Sequence, residues 1–412
     1  VDSVTSPDSL TVVYWFGTRS PTQFLHAAAQ VPILPAHVLE KISVETLRET
    51  APPLIGSGRF RLERWDKGSS GELVADSGNY RGRPKFDRVI WTTSTGSTSS
   101  ATKLFTGAAD LFDAMRPEDV REAARNPDLQ VITLNGLDYA FLHFNLRDPA
   151  NRARSHPLFA DRELRRAIGM SVDRAQVVRS ILDTLALVAV GPTVRAYPTT
   201  DSQVTQLPYD TARARFVLDS LGWSRRDARG IRVRNKQRLA FTVTVPSSSQ
   251  NRIRAAVILQ AQLKSAGVRM DIKQVDNSAL MDLWSARKFD AVLGTWNMGA
   301  TPSATMRAWG TAGISEHGTN FGSYSNPAFD ADVDSALKAN DPAVARALFT
   351  RAYRTINEDA PAIWLYEPKT VIGIHKRVKT ASMRQGAWWS DLGNWSIRPS
   401  ERLPRDLLPA AR

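Results

Sequence analysis

The chain has 412 residues and a net charge of +13, with 42% hydrophobic and 23% charged residues, which is globular composition spread over more than one lobe. It has no cysteine, which excludes disulfides, thiolate metal sites and cysteine nucleophiles. No apolar run approaches the roughly 20 residues needed to cross a bilayer. The positive charge raises the question of nucleic acid. However, the basic residues are scattered apart from short clusters such as "WSRRDARGIRVRNK", and neither zinc-finger spacing nor an aromatic RNA-binding motif is present. A solvated basic surface is expected, and nucleic-acid binding is not.

In chain order, "TVVYWF" reads as a strand and "PAHVLEKISVETLRET" as a helix. "GSGRFRLERW" is a glycine turn followed by the alternation of Phe60, Leu62 and Trp65, and "GELVAD" and "FDRVIWTT" are further strands. Pro117 opens a helix with acids in its first turn. "LQVITL" and "YAFLHFN" follow as strands, and a lobe boundary is expected just after Asn145, where "LRDPANRARSHP" is polar and proline-bounded. Three helices come next, the last capped by Asp210 and stopped at Gly222. Then "LAFTVTV", "NRIRAAVILQAQLKSAG", "VRMDIKQV", "SALMDLWSAR" and "FDAVLGT" alternate strand, helix, strand, helix, strand, the order of a parallel sheet. Ligands of open α/β sheets bind beyond the carboxyl ends of the strands, which here are "PSSSQN", "DNS" and "WNMGATP". Two helices, the strands "AIWLY" and "TVIGIH", and an aromatic tail with Trp388, Trp389 and Trp395 complete the chain.

Four segments, in order, resemble the family 5 extracellular solute-binding proteins, the dipeptide, oligopeptide and nickel receptors of bacterial ABC importers. They are "GSGRFRLERWDKGSSGELVADSGNYRGRPKFDRVIW", "YAFLHFNLRDP…FADRELRRAIGMSVDRAQVV", "NFGSYSNPAFDADVDSAL" and "RAYRTINEDAPAIWLYEP". The resemblance implies an α/β, two-lobed periplasmic-binding-protein-like fold (type II, cluster C-like). Residues 1–35 would be the remnant of a small subdomain, 36–145 and 375–400 lobe I, 146–374 lobe II, and 401–412 a tail. The family's signal peptide, early lobe I strands and most of the small subdomain would precede Val1, with room there for a lipid anchor. The implied function is capture of a solute, an oligopeptide by default, between the lobes and delivery to membrane permease subunits. It would be carried out by a monomer in the periplasm or otherwise outside the cytoplasm, without catalysis or cofactor. Peptide-binding relatives commonly carry an Asp about three residues after the Trp of "TWNMG"; here that place is Gly299. An arginine of the dipeptide type is also missing from "VPSSSQ", with Arg252 and Arg254 further along. A non-peptide solute, an oligosaccharide or metal chelate, therefore stays open.

Trp296 offers a rigid apolar face at a strand's carboxyl end, with Asn297 and Thr301 as neutral hydrogen-bonding groups against simple turn chemistry. Ser247, Ser248 and Ser249 precede a helix whose N-terminus suits an anion or, more ordinarily, a serine cap. Trp309, Asn320 and Tyr324 flank a glycine-rich loop and are pocket candidates. The histidines His26, His37, His143, His156, His317 and His375 show no metal-binding spacing, so no metal site is expected. Ser100 and Lys103 fit S-x-x-K, with Tyr324–Asn326 and Lys369 as weak partners, which keeps a serine acyl-enzyme as a distant alternative.

Overall fold

The computed structural model describes residues 1–17, 19–25, 27–28, 33–49, 55–201, 203–299, 301–316 and 318–407. His26, His317, Ala300 of the singled-out loop and the end of the expected tail lie outside these residues. The chain forms two compact units, a larger one of Val1–Phe24 and Asn135–Lys369 and a smaller one of Leu25–Leu134 and Thr370–Arg412.

The larger unit is built on six strands: β1 (Asp138–Phe144), β2 (Ala186–Val188), β3 (Ala240–Pro246), β4 (Arg269–Val275), β5 (Ala291–Asn297) and β6 (Ala362–Pro368). Their order is β4-β3-β5-β1-β6-β2. β3 pairs in parallel with β4 and β5, as the alternating sequence requires, whereas β1 runs antiparallel to both β5 and β6. Among the described residues, eight helices cover the sheet. On one face lie α1 (Arg162–Met170), α2 (Arg174–Ile181), α3 (Thr211–Ser220) and α4 (Gln250–Ala266). On the other lie α5 (Asn277–Ser285), α6 (Ala304–Trp309), α7 (Pro327–Lys338) and α8 (Pro342–Asp359).

The sequence shows why both faces need cover. Along β1, Ala140, Leu142 and Phe144 enter the first core and Tyr139 and Phe141 the second. In β6, Ile363 and Leu365 divide from Ala362 and Trp364 in the same way. Strands apolar at successive positions are stable only between two helical layers. Each large side chain removed from water there contributes roughly 1.5–3 kcal/mol. Caps set the helix ends: Asp210 accepts from the Arg213 N–H, Asp276 from Ala279, and Asn326 from Phe329.

Two expectations differ from the structure. The expected boundary after Asn145 leaves β1 in the first lobe, but β1 is an inner strand of the larger unit, whose later part begins at Asn135. A strand buried on both faces belongs with the helices that cover it. The expected helix after Pro35 is two short ones, Ala36–Leu39 and Val44–Glu49, because the Ser43 hydroxyl accepts from the Thr46 N–H and starts the second.

The smaller unit contains the antiparallel strands Phe60–Asp66, Ser70–Ala75 and Arg88–Thr92, and a second sheet in which Thr370–His375 pairs with Leu129–Leu134 and Leu111–Phe112. Ile372, Ile374, Val378 and Trp395 form its buried cluster with Trp388 packed against them, while Trp389 is exposed.

Candidate functional site

The carboxyl ends of β3, β4 and β5 lie along one edge of the larger unit's sheet. The register Thr244–Val292 brings the turn Ser247–Ser249 towards the level of Thr295–Asn297, and the Ser247 N–H donates to the Val275 carbonyl at 2.7 Å. The turn after β3, the end of β4 and the loop after β5 thus form one rim.

Trp296 is half-buried on this rim. Its ring meets Trp284 of α5 edge-on, with centroids 6.1 Å apart and planes at 84°, and Phe321 at 6.3 Å and 73°. Both contacts hold an indole that keeps part of its surface accessible. Trp284 in turn requires Gly294: a Cβ there would lie 2.6 Å from the Trp284 ring. Asn297 is exposed, donates to the Asp138 carboxylate at 3.0 Å, and accepts from the Gly299 N–H at 2.9 Å. It fixes the loop's first turn and ties β5 to the start of β1. Gly299 has φ +66° and open space around it, a left-handed conformation that favours glycine.

Thr301 is buried, its hydroxyl 2.7 Å from that of Ser303. The loop's carbonyls converge on Tyr197: its hydroxyl lies 2.8 Å from Met298 O, 2.8 Å from Gly299 O and 3.1 Å from Thr301 O. Burial pushes this phenol well above its usual range, so it remains a donor. Sequence reasoning did not find Tyr197 or Asp138. Tyr197 lies a hundred positions away in an irregular segment, and Asp138 is ordinary until strand pairing sets it opposite Asn297.

Ser247 and Ser248 are exposed, and Ser249 stands at the N-cap of α4 without a side-chain cap bond. In the first turn of that helix Arg252 is partly buried, and its Nε has no partner among the described residues. Burial pushes its pKa down, and the nearby Tyr366 phenol opposes the shift. The edge therefore combines an aromatic face, a clamped loop, a helix N-terminus without a side-chain cap bond and a cation with no carboxylate partner among the described residues.

The other three candidates are interior residues. Trp309 is buried and donates to the Tyr139 hydroxyl at 2.8 Å, its ring 4.6 Å from that of Trp364. Asn320 uses its amide on the carbonyls of Gly310 and Tyr324 and its oxygen on the Tyr324 N–H. Tyr324 donates to Asp359 at 2.8 Å. Their polar atoms serve the fold, which corrects the expectation of pocket roles. A hollow of about 310 Å³ lies at the opposite end of the sheet, lined by Asp148, His156, Gln237 and Asp290 among others. Two of its polar groups are engaged: Asp290 accepts from the Thr242 N–H at 3.0 Å and lies 3.4 Å from His156 Nε2. No cluster of three or more potential metal-ligating side chains occurs among the described residues. The S-x-x-K groups have local partners, Ser100 the Gly96 carbonyl at 3.5 Å and Lys103 the Thr92 hydroxyl at 3.2 Å, while Lys369 donates to the Thr184 carbonyl at 3.0 Å.

Comparison with known proteins agrees with this architecture. The family model described as bacterial extracellular solute-binding proteins, family 5 (middle), matches residues 1–316. The oligopeptide-binding protein AppA of Bacillus subtilis (strain 168) is 26% identical over 351 residues, 83% of this chain and 62% of that protein. Di/tripeptide-binding protein 2 of Pseudomonas aeruginosa (strain UCBPP-PA14) is 23% identical over 316 residues, 76% and 56% of the two chains. The chain thus spans about 60% of the length of such curated relatives. Among solved structures, B. subtilis AppA in complex with a nonapeptide superposes with a TM-score of 0.81 at 23% identity, covering 96% of this chain and 78% of that one. NikZ from Campylobacter jejuni in complex with Ni(L-His) gives 0.80 at 21%, with coverage of 96% and 78%. The matched family model, the order of the elements and the superposed folds agree: this chain belongs to the family 5 bacterial extracellular solute-binding proteins.

Proposed function

We propose that the chain is the solute-capturing component of an ABC importer, working outside the cytoplasmic membrane as a monomer and binding an oligopeptide. The observation that carries this reading is Trp296, a half-buried indole fixed at the carboxyl edge of β5 beside a loop whose backbone is already clamped. Such an edge binds without reacting. The indole offers a face for peptide backbone or apolar side chains, and neutral groups such as the Ser247 and Ser248 hydroxyls supply hydrogen bonds. Arg252 and the N-terminus of α4 suit a carboxylate. The loop holds no acid for a free amino group, so recognition rests on the chain of the peptide rather than on its amino terminus. The nonapeptide held in the AppA complex supports this ligand class, and the Ni(L-His) in the NikZ complex makes a chelate the comparison arm of the test.

The experiment is isothermal titration with a mixed-sequence oligopeptide pool, single peptides recovered from it, and nickel–histidine. Peptide binding is expected, and Trp296→Ala should weaken it by roughly ten- to a hundred-fold while the thermal midpoint moves little. Affinity for the chelate alone, or an unchanged affinity in the variant, refutes the assignment. Labelling of Ser100 by a fluorescent penicillin would refute the absence of catalysis.

A further inference from the structure

The arginine-rich segment singled out in the sequence lies away from the binding edge. Arg225–Arg226, Arg232–Arg234 and Gln237–Arg238 form a three-stranded antiparallel meander. Leu239 leads directly from it into the start of β3, and the Arg232 N–H donates to the Gly267 carbonyl just beyond α4. The meander therefore stands at the end of the sheet opposite Trp296.

Its inner side is locked. Arg232 is 2% exposed, donates to the carbonyls of Trp223 at 2.7 Å and Ala266 at 2.8 Å, and pairs with Asp219 of α3. Arg234 covers the buried Trp223, its guanidinium 4.5 Å from the ring centroid. The outer side is different. Arg225, Arg226, Arg229, Lys236 and Arg238 are exposed, and among the described residues only Arg238 has a carboxylate partner, Asp227. Lys264, in the last turn of α4, is likewise exposed without a carboxylate. A scattered arginine-rich composition does not account for this concentration, because the acids nearest in sequence, Asp219 and Asp227, are already taken.

Lys236 gives an independent sign. It occupies the tip of the last hairpin with φ +65°, next to Asn235 at φ +50°. Two-residue turns of this kind favour Asn followed by Gly, and a lysine in the second place is unfavourable for folding. The fold does not need a cation there. The helix that enters the meander, α3, also exposes Phe216 (63%), with the Arg213 guanidinium 5.3 Å from its ring. Exposed aromatics beside arginine match the boundary between lipid headgroups and acyl chains, where the ring is partly immersed and the cation meets phosphate.

We propose that the meander and the outer face of α3 form a docking surface for an anionic membrane. The guanidinium forks of Arg225, Arg226 and Arg229 would engage lipid phosphates, Lys236 and Lys264 would add charge, and Phe216 would enter the interface. Docking at this end leaves the rim around Trp296, at the other end of the same sheet, uncovered.

The test is co-sedimentation of the whole chain with vesicles of phosphatidylcholine, with and without about one-third phosphatidylglycerol. Binding is expected only to the anionic vesicles and should be released by about 0.5 M salt. The variant Arg225→Gln/Arg229→Gln/Lys236→Gln, all at exposed positions, should lower the partition coefficient by roughly a hundred-fold at low salt with an unchanged thermal midpoint. Trp296→Ala should bind vesicles like the parent, which keeps this result separate from the peptide reading. Equal binding to both vesicle types, or full binding by the triple variant, overturns the proposal. So does equally tight binding to random-sequence duplex DNA, which would mark a general polyanion surface.

Discussion

The hydroxyl of Tyr197 has one proton and three carbonyls around it, so three carbonyls of the loop after β5 share a single donor. Removing that donor strands buried acceptors, which costs about 1–3 kcal/mol. Tyr197→Phe is expected to lower the thermal midpoint and to weaken peptide binding several-fold, read by thermal denaturation and titration calorimetry. A variant unchanged in both would show that the Asn297 turn holds the loop by itself. At this scale the sequence located Trp296 at the carboxyl end of its strand, because strand order is legible there. It was uninformative about Trp309, Asn320 and Tyr324, since polar and aromatic residues near glycines look alike whether they line a pocket or stitch a loop together. Only the geometry of Asn320, with its amide and oxygen both engaged by backbone, separates the two.

Among the elements, the β3–α4–β4–α5–β5 run was legible because each segment carries its own period, α4 stops at Gly267 and α5 starts at Asp276. The place of β1 was not. An apolar strand announces that it is buried, but its partners β5 and β6 come some 150 and 220 positions later and leave no local signature. Burial in β1 also has a chemical consequence. His143 is enclosed by Trp284, Trp309, Phe141 and Phe289, accepts from the Trp284 indole N–H at 3.1 Å, and has its pKa pushed down by burial from 6.5 to about 3. With the folded value depressed, the unfolded chain takes up the proton first. The contribution to stability is therefore complete above about pH 6.5 and declines as the pH falls towards 3, by up to about 1.4 kcal/mol per unit. Thermal midpoints should drop from pH 6.5 to 4.5, and His143→Gln should flatten that slope. An identical slope in the variant would assign the effect to other groups.

For the molecule as a whole, the two units have separate interiors. The larger has a core on each face of its six-stranded sheet, and the smaller has the cluster around Ile372, Ile374 and Trp395. Scanning calorimetry is expected to resolve two transitions, with a bound peptide raising the one that belongs to the larger unit, because a ligand stabilises what it binds. A single transition with equal calorimetric and van't Hoff enthalpies would show instead that the units unfold together. The lobed α/β character was readable from the alternation of elements. The point where the chain passes from one unit to the other was not, because it falls between two strands, Leu129–Leu134 and β1, that look equally apolar.

Gly299 bears on how a member of this solute-binding family diversifies. Among the described residues nothing lies within 4 Å of a Cβ placed there, and the obstacle to a side chain is a left-handed backbone that Asn and Asp tolerate better than most residues. One codon change could install a carboxylate in this loop at a conformational cost of roughly 1–2 kcal/mol. Selectivity for charged amino termini is thus a short mutational step from the present loop, while the aromatic wall built on Gly294, Trp284 and Trp296 stays as it is.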